Sequence, residues 1–203
     1  MSTFFHLEQV RGVRVLRLHS ADDTNRLTSA CVRALIDALR DLEQQREPLV
    51  FTGNDRFFSS GADLNEIAAL TGPAAYEFSK MGQLLMDCIE RFPAPVYAAI
   101  SGYCMGGGLD LALACHHRIA APNAIFGHRG AALGLITGWG GTQRLPRLIG
   151  KTRALQMFVS AQKVHAREAL QMGLVEAVVE EPLSEAFSKL TGLRVPAPLL
   201  YRK

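Results

Sequence analysis

Two short segments concentrate the residues that could do chemistry. The first is Ser59-Ser60-Gly61-Ala62-Asp63-Leu64. The second is Ser101-Gly102-Tyr103-Cys104-Met105-Gly106-Gly107-Gly108-Leu109-Asp110. In the second, a strand pattern meets small residues and then a helical pattern. Consecutive glycines let a backbone approach a ligand closely. The first N–H groups of the helix that follows have no partner within the helix. Together with the positive helix end they suit an anion or a developing oxyanion. The same residues also suit a tight strand-to-helix turn packed against a neighbour, so the glycine run alone leaves both readings open. It is not a phosphate-binding Walker loop, because no Gly-Lys-Ser/Thr follows, and it lacks the Gly-x-Gly-x-x-Gly spacing of a dinucleotide fingerprint.

Such segments need a scaffold that holds them together. Strand patterns fall at 12–19, with Val13, Val15, Leu16 and Leu18, and again at 48–52 and 96–101. Thr28 is placed to cap a helix whose Val32, Leu35, Ile36, Leu39 and Leu42 share one face. Residues 57–63 run into a helical piece at 64–70, which Gly72-Pro73 breaks. A longer helix over 74–91 puts Phe78, Met81, Leu84, Leu85, Cys88 and Ile89 on one face, and Pro93 and Pro95 end it. Residues 109–117, 142–148, 152–160 and 166–171 read as helices, 118–121 and 124–126 as short extended pieces, and 174–179 as a last strand. This alternation predicts an α/β fold with right-handed crossovers, without a fixed repeat period. The pattern weakens from Glu180, which divides the chain into a core over 1–180 and a short tail over 181–203 containing Pro196 and Pro198.

The chain has 203 residues, 48% of them hydrophobic and 20% charged, which suits a single globular domain and excludes general disorder. A net charge of +3 is too small to point to nucleic acid or an anionic membrane. The basic run Arg144, Arg147, Lys151 and Arg153 reads as structural or solvated. The apolar stretch 95–115 carries Asp110 and a glycine cluster, which argue against a membrane span. Residues 1–10 contain His6 and Glu8 and no apolar core of signal-peptide length. With four cysteines and no Cys-x-x-Cys pair, reduced thiols and a cytoplasmic location are expected. Cys115-His116-His117 with Cys104 fits no zinc spacing, and neighbouring helix positions point about 100° apart, so no metal is expected.

The two segments fall into a longer series in register. It runs through Phe58-Ser59-Ser60-Gly61-Ala62-Asp63-Leu64, Pro95-Val96-Tyr97-Ala98-Ala99-Ile100-Ser101-Gly102-Tyr103 and Gly106-Gly107-Gly108. Phe126-Gly127, Leu133-Gly134, Gly140-Gly141-Thr142-Gln143-Arg144-Leu145, Ala166-Arg167-Glu168-Ala169 and Gly173-Leu174-Val175 follow. Over about residues 5–180 the chain resembles the enoyl-CoA hydratase/isomerase family, the crotonase superfamily. The resemblance implies a spiral of repeated β-β-α turns, assembled as homo-trimers or pairs of trimers. It implies an acyl-CoA substrate, with coenzyme A as the thioester carrier and no permanently bound cofactor. It implies an oxyanion hole made by the backbone N–H groups of Ala62 and Gly107. It also implies that Ser60, Ala62, Asp63 and Leu64 hold the adenine end of the coenzyme through their main chain.

The chain departs from the family pattern at several points. Asp110 stands where hydratases carry the first of two glutamates, and its reach is shorter by about 1.5 Å, one carbon–carbon bond. A misplacement of about 1 Å can cost about a hundredfold in rate. Gly130 stands where the second glutamate falls, and Asn65 where many relatives have lysine. Asp110 can act alone as general base or acid, or only complement the helix dipole. His128 can replace the missing partner or simply pack. Arg129 can bind a substrate carboxylate or form an ion pair. Trp139 can shorten the acyl pocket, stack on an aromatic acyl group, or belong to the core. The usual C-terminal helical segment is expected to be short or missing. The resulting reading is an acyl-CoA enzyme of the hydratase/isomerase type with catalytic Ala62, Gly107, Asp110 and His128 and altered two-glutamate machinery. The alternatives are an isomerase or decarboxylase of the same type, and an acyl-CoA-binding protein without hydratase turnover.

Overall fold

The computed structural model describes residues 2–192. Strands β1 (Phe5–Val10) and β2 (Val13–Leu18) form a hairpin that pairs Val10 with Val13. Its two turn residues, Arg11 and Gly12, have φ of 50° and 78°, the sign that matches strand twist. No strand was expected over β1, because it is an edge strand on which only Phe5 is buried, so alternation never develops. A short β3 (Arg26–Leu27) precedes α1 (Ser29–Glu43), whose Thr28 side chain accepts from Cys31 N at 3.1 Å. Then come β4 (Leu49–Thr52), β5 (Phe57–Ser59), β6 (Gly61–Ala62), α2 (Leu64–Ala68) and α3 (Gly72–Glu90). Gly72-Pro73 does separate α2 from α3, but it also opens α3, where proline lacks an N–H that would be unpaired anyway.

Next are β7 (Val96–Ile100), β8 (Tyr103–Met105), α4 (Gly107–Ala114), β9 (His117–Ala120) and β10 (Ile125–Gly127). The helix expected to reach residue 117 stops at Ala114. Arg118 donates from Nη1 to Cys115 O at 2.7 Å and to Ala112 O at 3.5 Å, covering the carbonyls at that end. After a 3-10 turn (Gly130–Leu133) follow α5 (Gly141–Ile149), α6 (Lys151–Ser160), β11 (Val164–His165), α7 (Ala166–Gln171), β12 (Ala177–Val178) and α8 (Pro182–Thr191).

The strands form a six-stranded sheet in the order β1-β2-β4-β7-β9-β12, a four-stranded sheet β11-β10-β8-β5 and a pair β3-β6. From β2 to β12 the large sheet is parallel. Three times the chain leaves it for the smaller sheet, as β4 to β5, β7 to β8 and β9 to β10. Helices return the chain after the first two excursions, which is the β-β-α spiral the resemblance implied. No period shows in the sequence because β4, β7 and β9 begin at residues 49, 96 and 117.

Central strands are buried on both faces, so they read as continuous apolar runs. Leu49, Phe51, Val96, Ala98 and Ile100 face the main core with α1, α3 and α4. Val50, Tyr97, Ala99 and Ile119 face the other way, onto Leu183, Ala186 and Phe187 of α8. Side chains alternate along a strand, which also explains the mixed pattern of β2: Val13 and Val15 point to α8, while Leu16 and Leu18 point to the core. Residues 182–191, set beyond the core by their weak pattern, therefore cover the outer face of the sheet. The rest of the expected tail, 193–203, lies outside the described residues. Phe187→Ala should lower unfolding free energy by about 3–5 kcal/mol in chemical denaturation. A change of about 0.5 kcal/mol or less would show α8 to be an appendage.

Candidate functional site

The small sheet delivers the site. β5, β8 and β10 run parallel, with Ser59 beside Cys104, and Gly127 beside Met105. Their C-terminal ends release segments 60–64, 106–110 and 128–130 side by side. Gly106 N donates to Gly127 O at 2.9 Å and ties two of these segments together. The loop at 60–62 is braced from below. Buried Asn25 donates from Nδ2 to Phe57 O at 2.7 Å, Ser59 Oγ donates to Asn25 O at 2.7 Å, and Ser60 N donates to Thr24 O at 2.9 Å.

Two backbones then meet where side chains would not fit. A Cβ on Gly61, whose φ is +93°, would lie 2.5 Å from Met105 O and 2.9 Å from Gly107 N. A Cβ on Gly107 would lie 3.2 Å from Ala62 N. Ala62 and Gly107 are thus neighbours, and both line one cavity of about 680 Å³. Gly107 opens α4, so its N–H has no carbonyl partner within the helix.

Asp110 lies one turn further along α4 and is 1% exposed. One carboxyl oxygen accepts from Thr137 Oγ1. The other, Oδ1, lies 3.3 Å from His128 Nε2. That separation is within ion-pair range, but neither atom has a hydrogen-bond partner among the described residues. Burial pushes Asp110 up to about 7, against smaller opposing effects of Thr137 and Arg144, and pushes His128 down to about 4. Burial thus disfavours the charged form of each, and with His128 neutral the contact is not a salt bridge. The His128 ring rests on Phe158 with centroids 5.1 Å apart.

The structure thus brings Ala62, Gly107, Asp110 and His128 together. Ser60 and Leu64 line the same cavity, with Leu64 exposed at its rim. Asp63 points elsewhere: its side chain caps α2 through Asn65 N and Glu66 N, at 2.8 and 3.1 Å, and pairs with Arg26 at 3.0 Å. Only its main chain is left to meet a ligand. Arg129 is exposed on the lining. Gly130 is closed as well as bare, since a Cβ there would lie 2.6 Å from Leu135 O. Trp139 is buried on the cavity wall. The residues weighed for a metal disperse. Cys115 is buried, His116 Nδ1 accepts from Val96 N at 3.0 Å, and His117 pairs with Glu176 at 3.0 Å. Among the described residues no group of three or more His, Cys, Asp or Glu could hold a metal ion. Arg144 pairs with Asp87 and Glu90 at 3.0 and 2.6 Å, a structural use of the basic run.

Sequence reasoning missed Thr137 and Gly141. A Cβ on Gly141 would collide with Asp110 Oδ1, so the start of α5 must be bare to accept the buried carboxyl. Gly141 was visible in the family motif, but its reason is a contact across the fold. Nothing in the text around Thr137 marks it as the partner of Asp110.

The elevated pKa of Asp110 has a consequence for stability. A carboxyl raised from 3.8 unfolded to about 7 folded keeps its proton in the native state. The stability this contributes is complete below pH 3.8 and lost as pH rises through about 7. Asp110→Asn, which removes that loss, should therefore raise the thermal midpoint more at pH 8 than at pH 5. Equal changes at the two pH values would show that Asp110 ionises normally.

Comparison with known proteins agrees with this fold. The model of the enoyl-CoA hydratase/isomerase family matches residues 8–193. A protein of Bacillus subtilis described as a probable enoyl-CoA hydratase is 42% identical over 166 residues, 80% of this chain and 64% of its own length. The chain thus spans less than two thirds of that relative. A crystal structure of enoyl-CoA hydratase from Bacillus anthracis superposes with a TM-score of 0.88 at 33% identity, covering 93% of this chain and 76% of that one. One from Thermoplasma volcanium superposes with a TM-score of 0.89 at 30% identity, covering 94% and 77%. No helix among the described residues is long and apolar enough to cross a membrane. The chain belongs to the enoyl-CoA hydratase/isomerase family.

Proposed function

We propose that the chain acts on acyl-coenzyme A thioesters by forming and discharging an enolate with a single buried carboxyl group. The observation that carries this reading is the contact of Gly107 with Ala62, one helical turn from Asp110 in one cavity. A thioester oxygen set between the N–H groups of Ala62 and Gly107 would accept from both. Negative charge developing on that oxygen meets two fixed dipoles and the positive end of α4. Such preorganised donors are each worth about 10²–10³ in rate. The main chain of 60–64, with Leu64 at the rim, is where the coenzyme would lie.

Asp110 takes a proton from the carbon next to the thioester and returns it. A carboxyl with a pKa near 7 suits both directions at neutral pH. His128, held neutral, screens its free oxygen from water and sits one small shift from a hydrogen bond to it. Two-carboxylate hydration has no second group here. Gly130 lacks a side chain, and Leu135 O fills the space where one would begin. Proton transfer that shifts a double bond needs only the one carboxyl and fits the site better than hydration. Binding without turnover is the second reading, and the closed position 130 is what favours it. Assembly as trimers or pairs of trimers belongs to the same reading, and exposed Leu155 and Val159 on α6 give such an assembly apolar surface to bury.

The test pairs calorimetry with absorbance. Crotonyl-CoA should bind, and a 3-enoyl-CoA should convert to its 2-enoyl isomer faster than crotonyl-CoA is hydrated. Asp110→Asn should bind with similar affinity and lose about 10²–10⁴-fold in rate. Binding without any conversion of either thioester would establish the second reading. Because the base must be ionised, the rate should climb with pH through about 7. A limb near 4 would mean that Asp110 titrates as an ordinary carboxyl, without the shift that burial gives it.

A further inference from the structure

Trp139 is the only tryptophan in the chain, and its indole is wedged between two helices. A Cβ on Gly107 would lie 2.5 and 2.7 Å from Cζ3 and Cε3 of the six-membered ring. A Cβ on Gly82, in α3, would collide with Cδ1, Nε1 and Cε2 of the five-membered ring. Nε1 donates to Phe78 O at 3.3 Å, and the Phe78 ring lies 5.2 Å away. The preceding backbone is tied to α3 as well, since Gly138 O accepts from Ser79 Oγ and Gln83 Nε2, each at 2.8 Å. A ring packed on all these sides cannot change rotamer without moving a helix.

We propose that the Trp139 indole is the specificity-determining wall of the acyl chamber and selects short acyl groups over long chains. The inference rests on the acyl-CoA reading of the cavity. A thioester oxygen on Gly107 N places the acyl group beside Gly107, and the indole already covers that residue. Trp139 is 3% exposed, so only a sliver of the indole borders the cavity, and a four-carbon unit can end against it. A longer chain has to turn past a wall that does not yield. Each methylene that a rigid apolar pocket does or does not accommodate changes discrimination by about 10–200-fold.

The single tryptophan makes the test direct. The emission of the unmodified protein is followed while coenzyme A, crotonyl-CoA and oct-2-enoyl-CoA are added, with calorimetry on the same samples. Crotonyl-CoA should change the emission and coenzyme A should not, and affinity should not rise with the four added carbons. In Trp139→Leu the affinity for oct-2-enoyl-CoA relative to crotonyl-CoA should rise at least about tenfold, and in Trp139→Phe by less. Silent emission with crotonyl-CoA bound, or an unchanged ratio in Trp139→Leu, would overturn the proposal. The emission experiment decides even if that variant does not fold. Calorimetry showing no acyl-CoA binding at all would instead overturn the acyl-CoA reading and this inference with it.

Discussion

The start of α4 and the loop through Gly61 lie backbone against backbone, and the rest of the site follows from that contact. Met105 O and Gly107 N occupy the space that a side chain at 61 would need, and Ala62 N borders the space that one at 107 would need. In the proposed reading, the N–H groups of Ala62 and Gly107 are thereby held beside the N-terminus of α4, where they would need no rearrangement when negative charge arrives. Asp110 is placed by the same helix, one turn on. Its distance from the donors is set by the pitch of α4 rather than by a flexible loop.

Two sheets hold this contact in place. The large sheet supplies rigidity, with central strands buried on both faces between the α1–α3–α4 core and α8. The small sheet supplies position, because the ends of β5, β8 and β10 present three site segments together. Strand ends in parallel sheets are a common place for ligands, since the chain there is free to vary while the strands stay fixed. The cost falls on buried polar atoms. Asp110 Oδ1 and His128 Nε2 are aimed at one another without an aligned hydrogen bond. Burial displaces the two pKa values in opposite directions, and a pair without an aligned bond is easily reorganised by a ligand.

Much of this was legible in the sequence because local rules happened to agree. Thr28 capped the helix it should, the 3–4 spacing from Val32 to Leu42 marked a buried face, and the glycines at 106–108 marked a strand-to-helix turn. The four residues chosen for catalysis do share one cavity. What stayed hidden depends on contacts across the fold. The edge strand β1 lacks alternation, and α8 shows a short buried face, Leu183, Ala186 and Phe187, against a sheet whose strands lie far back in the chain. Gly130 could be read as a missing side chain, but its closure by Leu135 O could not. The use of the Asp63 side chain as a helix cap was open in its position before 64–68, and it leaves the main chain free for the role that the motif implied.

In the proposed reading, Asp110 and the paired N–H groups of Ala62 and Gly107 form an enolate from a bound thioester. Exchange of the C-2 protons of butyryl-CoA in heavy water, followed by NMR, observes that step without requiring any later chemistry. Protein-dependent exchange is expected in the unmodified chain, and its loss in Asp110→Asn. No exchange at saturating butyryl-CoA, or equal exchange in the two proteins, would contradict it.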